Sequence, residues 1–209
     1  MMISVILVPQ GAEYQAVYRG VQSQVNPPKV IPIPAGAAAI RELDRVSDTS
    51  GVLLMGLCGS LSPEIEIGRI ALYQACVNFS GQVKECDRAL TDRLQNQFQV
   101  SPVLGLTSDR VICSADEKHK LGKSYEAAVV DMEGFPILEQ RSIAILRVVS
   151  DDLSGDLPDL STVIDADGKI QAISMMKAMI KRPIAAGRLI RGSLSGLRKL
   201  RQLASELSQ

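Results

Sequence analysis

From residue 3 onward the chain alternates between short runs that are apolar at nearly every position and longer stretches whose apolar residues return at helical spacing. "ISVILV" (3–8) reads as a buried strand, "GAEYQAVYRGVQ" as a helix, "KVIPIP" as a strand restrained by prolines, and "AGAAAIRELDRV" again as a helix. "GVLLMGLCG" (51–59) is a strand running into glycines, "GRIALYQACV" another strand, and "DRALTDRLQNQF" a helix with polar faces. "PVLGLTS", "EAAVVD" and "SIAILRVVS" supply further strands, with "SADEKHKLG" and "EGFPILEQR" as helices between them. Strands that are apolar throughout, rather than alternating, are covered by helices on both faces. The pattern therefore predicts a three-layer α/β/α sandwich, in which ligands bind beyond the carboxyl ends of strands.

Composition narrows the class without changing the fold. With 209 residues, 46% of them hydrophobic, and neither repeats nor low-complexity segments, the body is one globular unit. Cys58, Cys76, Cys86 and Cys113 form no C-x-x-C pair, which leaves a zinc site without support and predicts reduced thiols in a cytosolic protein. The apolar start lacks the basic flank of a signal peptide, and no run approaches the roughly 20 apolar residues that span a bilayer. Aromatic content of 3% and no tryptophan leave little to stack single-stranded bases, so nucleic acid is not an expected partner. The formal net charge of zero hides an asymmetry: residues 181–209 carry seven basic side chains and one acid, net +6, against −6 for the rest.

The strand ends hold the candidate chemistry. Asp151 follows "IAILRVVS" with Ser150 beside it, and a carboxyl shielded there could protonate a leaving group, although "DDLSGD" is also rich in turn-formers. Glu133 ends "AVVDME" at a helix start, where the helix dipole favours an acid whether or not anything binds. Glu13 stands in the same position after the first strand. Gly56 and Gly59 would let backbone N–H groups approach a ligand, but their spacing is neither a dinucleotide fingerprint nor a Walker loop. His119, the one histidine, lies between Lys118 and Lys120 in a polar helical stretch and makes a poor relay partner.

Taken together, "ILVPQGAE", "GLCGSLSPEIEIGRIAL", "AVVDMEG" and "LRVVSD" resemble the nucleoside phosphorylase and nucleosidase superfamily, which includes purine nucleoside phosphorylases and methylthioadenosine/adenosylhomocysteine nucleosidases. The resemblance implies the phosphorylase/hydrolase-like sandwich with a mixed central sheet. By it, Asp151 protonates the leaving purine and Glu133 binds the ribose hydroxyls over Met132. Glu13 helps to activate water, and Gly56 and Gly59 line the sugar or phosphate side. Asp131 is left a structural or capping role. The implied reaction is cleavage of a purine nucleoside's N-glycosidic bond by phosphate or water, with no metal or organic cofactor, in a homo-oligomer. Where relatives carry an arginine and a serine around the glycine turn, this chain has Leu54 and Leu57. If phosphate attacks, its substitute ligand is Arg110, after "TSD", or the backbone donors at the glycine turn. A non-catalytic nucleoside-binding protein of the same fold is the alternative.

The stretch "GKIQAISMMKAMIKRPIAAGRLIRGSLSGLRKLRQLASEL" resembles the C-terminal portion of hopanoid-associated phosphorylase-like proteins, which implies an adenosine joined through its 5′ carbon to a lipid. Residues 1–182 then form the phosphorylase-like domain and 183–209 a basic amphipathic helix. Its leucines either meet an anionic membrane surface or pack on the body or a neighbouring subunit.

Overall fold

Eight strands, six α-helices and one 3-10 segment occupy the described residues of the computed structural model, which are 2–46, 51–160, 163 and 171–207. In chain order they are β1 (Val5–Pro9), α1 (Ala12–Val21), β2 (Lys29–Ile33), the 3-10 segment (Gly36–Arg45), β3 (Val52–Ser60), β4 (Ile70–Val77) and β5 (Val83–Glu85). Then come α2 (Arg88–Phe98), β6 (Val103–Thr107), α3 (Ala115–Tyr125), β7 (Val129–Asp131), α4 (Gly134–Gln140), β8 (Ala144–Asp151), α5 (Ala172–Lys181) and α6 (Pro183–Glu206). Of the C-terminal stretch compared above, residues 168–170 lie outside the described residues.

Two elements depart from the sequence reading. Residues 36–45 coil as a 3-10 segment instead of an α-helix: Gly36 enters at φ 69°, Ala35 has no side chain to cap the start, and Val46 N–H closes on the Leu43 carbonyl three residues back. β5 is a three-residue, fully exposed edge strand with no apolar signal to announce it.

The sheet is mixed. β2, β1 and β3 run parallel, and β3 continues in parallel to β8, which meets β4 antiparallel. β4 is parallel to β6 and β6 to β7, and β7 returns antiparallel to β3 at Gly59 and Ser60. Strands β3, β8, β4, β6 and β7 thus close a ring, with β1 and β2 as an extension and β5 on the edge of β4.

Strand alternation sorts the core onto the two faces. Val5, Leu7, Leu54, Ile145 and Val149 point to one face, beneath the 3-10 segment and α4. Ile6, Val8, Leu53, Met55, Leu146 and Val148 point to the other, where Val17 of α1, Leu90 of α2 and Leu200 and Leu203 of α6 cover them. Both faces are dry, which is why the strands read as unbroken apolar runs. A third cluster joins Leu61, Val77, Leu106 and Val130 to Leu121 and Tyr125 of α3.

The tail leucines divide. Leu200, Leu203 and Leu207 pack on the body, whereas Leu194, with Ile184 and Ile190, is exposed. Among the described residues no helix is long and apolar enough to cross a membrane. Cys58, Cys76, Cys86 and Cys113 are free thiols.

Candidate active site

A cavity of about 480 Å³ opens at the strand ends, a size suited to a small organic ligand. Of the predicted site residues, Glu13, Gly59, Arg110, Met132, Glu133, Ser150 and Asp151 line it, together with Leu57. Gly56 lies behind the wall. A side chain there would collide with Arg147 Nη1 at 2.3 Å and Glu13 Oε2 at 2.6 Å, so the glycine is what allows these two groups to flank one point. Leu54 is wholly buried in the core and does not reach the cavity.

Glu13 sits in the first turn of α1, directly after the turn that ends β1, and its Oε2 accepts the Leu57 backbone N–H at 2.6 Å. Burial pushes its carboxyl up to about 7, with the Arg147 charge and the Leu57 hydrogen bond pulling in the opposite direction.

Glu133 is 5% exposed. Its Oε1 accepts the Gly36 N–H at 2.9 Å and its Oε2 accepts Arg147 Nη2 at 2.9 Å. Burial raises its carboxyl, which Arg147 offsets and Asp131 reinforces. A carboxylate so held keeps lone pairs for further donors, such as sugar hydroxyls. Asp131 accepts Arg147 Nη2 at 2.8 Å, the Thr107 hydroxyl at 2.8 Å and the Gly134 N–H at the start of α4 at 3.3 Å. It is thus a buttress and helix cap, the structural role the sequence leaves to it.

Arg147 joins these acids, and sequence reasoning missed it. It belongs to the face of β8 that carries Ile145 and Val149, and is wholly buried. An unpaired buried guanidinium would be very costly, and Asp131 and Glu133 supply its counter-charges. Nη1 has no hydrogen-bond partner among the described residues. The signal was a lone charge inside an apolar strand, "IAILRVVS", which calls for buried partners.

Asp151 closes the far side. The pairing of β3 with β8 matches Cys58 to Val149 but Gly59 to Asp151, so Ser150 is an extra residue that bulges β8 and turns Ser150 and Asp151 into the cavity. The Asp151 carboxylate lies over Gly59, where an added Cβ would come within 2.8 Å of Oδ2. Oδ1 accepts the Ser150 hydroxyl at 2.9 Å, and Oδ2 accepts Lys118 Nζ in an ion pair. Lys118 was also missed: it is 1% exposed, whereas its neighbour His119 is exposed as the polar stretch predicts. Its signal is its place on the inward stripe of α3 with Leu121, Gly122 and Tyr125. Arg110 is half-exposed and tied to Glu117 at 2.5 Å.

The sequence profile of the phosphorylase superfamily matches residues 21–181. No curated protein matches the chain. Among solved structures, futalosine hydrolase of Helicobacter pylori strain 26695 superposes with TM-score 0.66 at 14% identity, covering 99% of this chain and 98% of that one. A putative 5′-methylthioadenosine/S-adenosylhomocysteine nucleosidase from Borrelia burgdorferi B31, bound to adenine, gives 0.68 at 12% identity over 97% and 98%. The Streptococcus pneumoniae MTA/SAH nucleosidase with 8-aminoadenine gives 0.62 at 15% identity over 97% and 100%. At such identities the structural likeness speaks for the fold, and the profile, matching well over half of the chain, shows that this protein belongs to the phosphorylase superfamily.

Proposed function

We propose that this chain cleaves the N-glycosidic bond of a purine nucleoside with water, releasing the base. The observation that carries the reading is the arrangement of Glu13, Glu133 and Asp151 on the walls of one cavity. As the bond breaks, positive charge grows on the sugar and negative charge on the base. Glu133, fixed by Gly36 and Arg147, holds the sugar hydroxyls, with Met132 on the same wall. Glu13, on the cavity wall, accepts the proton of the attacking water. Asp151 serves the leaving base.

Water is favoured over phosphate because the cations near the cavity are already engaged. Arg147 pairs with Asp131 and Glu133, Lys118 with Asp151, and Arg110 with Glu117. A phosphate dianion would meet positive charge that these carboxylates already neutralise. The neighbours seen with adenine and 8-aminoadenine support an adenine base in the substrate, and their names as methylthioadenosine/adenosylhomocysteine nucleosidases support a substituted 5′ carbon. A lipid as that substituent rests on the resemblance of the tail alone. In such an assembly the homo-oligomer and any peripheral contact of the tail with a membrane are further parts of the proposal.

Incubation with adenosine, methylthioadenosine and adenosylhomocysteine, with and without phosphate, tests it. Free adenine in both conditions is the expected result, and adenine that appears only with phosphate would reassign the reaction as phosphorolysis. The non-catalytic binder draws on Leu57 at the cavity wall. Asp151→Asn separates the two: an enzyme loses about 10²–10⁴-fold in base release while retaining ligand affinity, whereas a binder has no turnover to lose.

A further inference from the structure

Lys118 is among the most deeply buried large side chains in the protein, and the reaction as described makes no use of it. Taking an ammonium out of water is costly, and its counter-charge here is Asp151. Two features of α3 bring it there. The Ser114 hydroxyl caps the helix start by accepting the Glu117 N–H. At Gly122 the helix lies so close to Leu61 that an added Cβ would stand 2.4 Å from the Leu61 carbonyl oxygen. The helix therefore approaches the strand ends closely enough for the lysine stem to reach Asp151.

Asp151 is held through both of its carboxylate oxygens. Oδ2 accepts from Lys118 Nζ, and Oδ1 accepts from the Ser150 hydroxyl, whose single proton is shared with the Cys58 carbonyl at 3.3 Å. Lys118 Nζ is thus the cationic donor in direct contact with the Asp151 carboxylate. Other titratable groups feel the pair's charges without competing for this role. Burial keeps the Cys58 and Cys113 thiols protonated, and Asp152 accepts the Ser154 N–H.

We propose that Lys118 is a positioning residue that holds the proton which Asp151 passes to the leaving base, so that the ion pair, rather than the carboxyl alone, is the acid of the site. The proposal deepens the function given above and rests on it. When the C1′–N bond breaks, its electron pair goes to the base. A Lys118 proton moves to Asp151, Asp151 delivers a proton to a ring nitrogen, and Lys118 is left as a neutral amine. The attacking water forms the new C1′–O bond and gives its proton to Glu13. Solvent then returns a proton to Lys118 and takes one from Glu13, so the turnover balances.

The test compares a purine nucleoside with 4-nitrophenyl riboside, whose nitrophenolate departs without being protonated. Lys118→Met is expected to slow base release about 10²-fold and to leave nitrophenolate release within about threefold. Lys118→Arg keeps the charge but binds its proton too firmly to give it up. It is expected to stay folded and to be slowed at least about tenfold on the nucleoside alone. Because it preserves the ion pair, it decides the matter even if the methionine variant fails to fold. Equal slowing of both substrates would overturn the proposal in favour of a structural role, and full speed of Lys118→Arg on the nucleoside would overturn it in favour of charge alone. A wild-type protein that cleaves neither substrate would overturn the reading of the site, and this inference with it.

Discussion

Glu13 combines two demands that oppose each other: burial pushes its carboxyl up to about 7, yet in the proposed role of accepting a water proton it must be ionised. Base release should therefore rise with pH through about 7, and Glu13→Gln should lose both this limb and most of the activity, as pH–rate profiles would show. The same shift has a consequence for stability with a definite sign. The folded protein favours the protonated carboxyl, so Glu13 contributes stability that is fully present below its ordinary value of 4.5 and is lost as pH rises through about 7. Glu13→Gln, which cannot ionise, should gain in melting temperature relative to wild type between pH 5 and pH 8. At this scale the acids were legible in the sequence because they stand at strand ends, where a chain-order reading looks for chemistry. Their cations were not, for a physical reason. Arg147 lies within an apolar strand and Lys118 within a polar helix, and only the folded sheet reveals which acids they face.

At the scale of elements, α6 shows that identical residues on one helix can act in opposite ways. Gly187 faces open space, so Gly187→Ala should stabilise the protein by about 0.5–1 kcal/mol through helix propensity. Gly192 lies against β8, and an added Cβ would stand 2.0 Å from the Ser150 carbonyl oxygen. Gly192→Ala should cost about 1–3 kcal/mol and also lower activity, because it presses on the bulge that aims Asp151. Denaturant titration of the two variants beside wild type checks both signs. In the sequence the tail glycines count only as weak helix formers; their spacing carries no sign of which of them touch a neighbour. The strands were legible for the converse reason. A strand dry on both faces declares itself in a run such as "ISVILV", whereas exposed β5 lacks that signal and the alanines of 36–45 fit two helix types equally well.

For the molecule as a whole, the buried charges and the C-terminal helix decide how the fold fails. Arg147→Met would leave Asp131 and Glu133 buried without their counter-charge, at a cost of about 3–5 kcal/mol at neutral pH. That loss should shrink in acid, where protonation of Glu133, already favoured by its burial, removes its part of the stranded charge, and urea melts at two pH values would show it. Deleting residues 183–209 removes Leu200, Leu203 and Ala204 from the core beside Val17, Leu53 and Leu146, and the expected outcome is a chain that no longer unfolds cooperatively in a thermal melt. The layers follow from the order of apolar runs, but closure of β7 onto β3 does not, because it rests on the short pairing at Gly59 and Ser60. The same helix α6 meets α1 where Ala204 packs on Gly20, and meets β8 where Gly192 packs on Ser150. One contact stands behind the element that bears Glu13 and the other behind the strand that bears Asp151. α6 thus spans the outside of the cavity like a caliper, with the elements that carry Glu13 and Asp151 at its two contacts. Catalysis would then respond to distant changes along this helix that never touch a ligand.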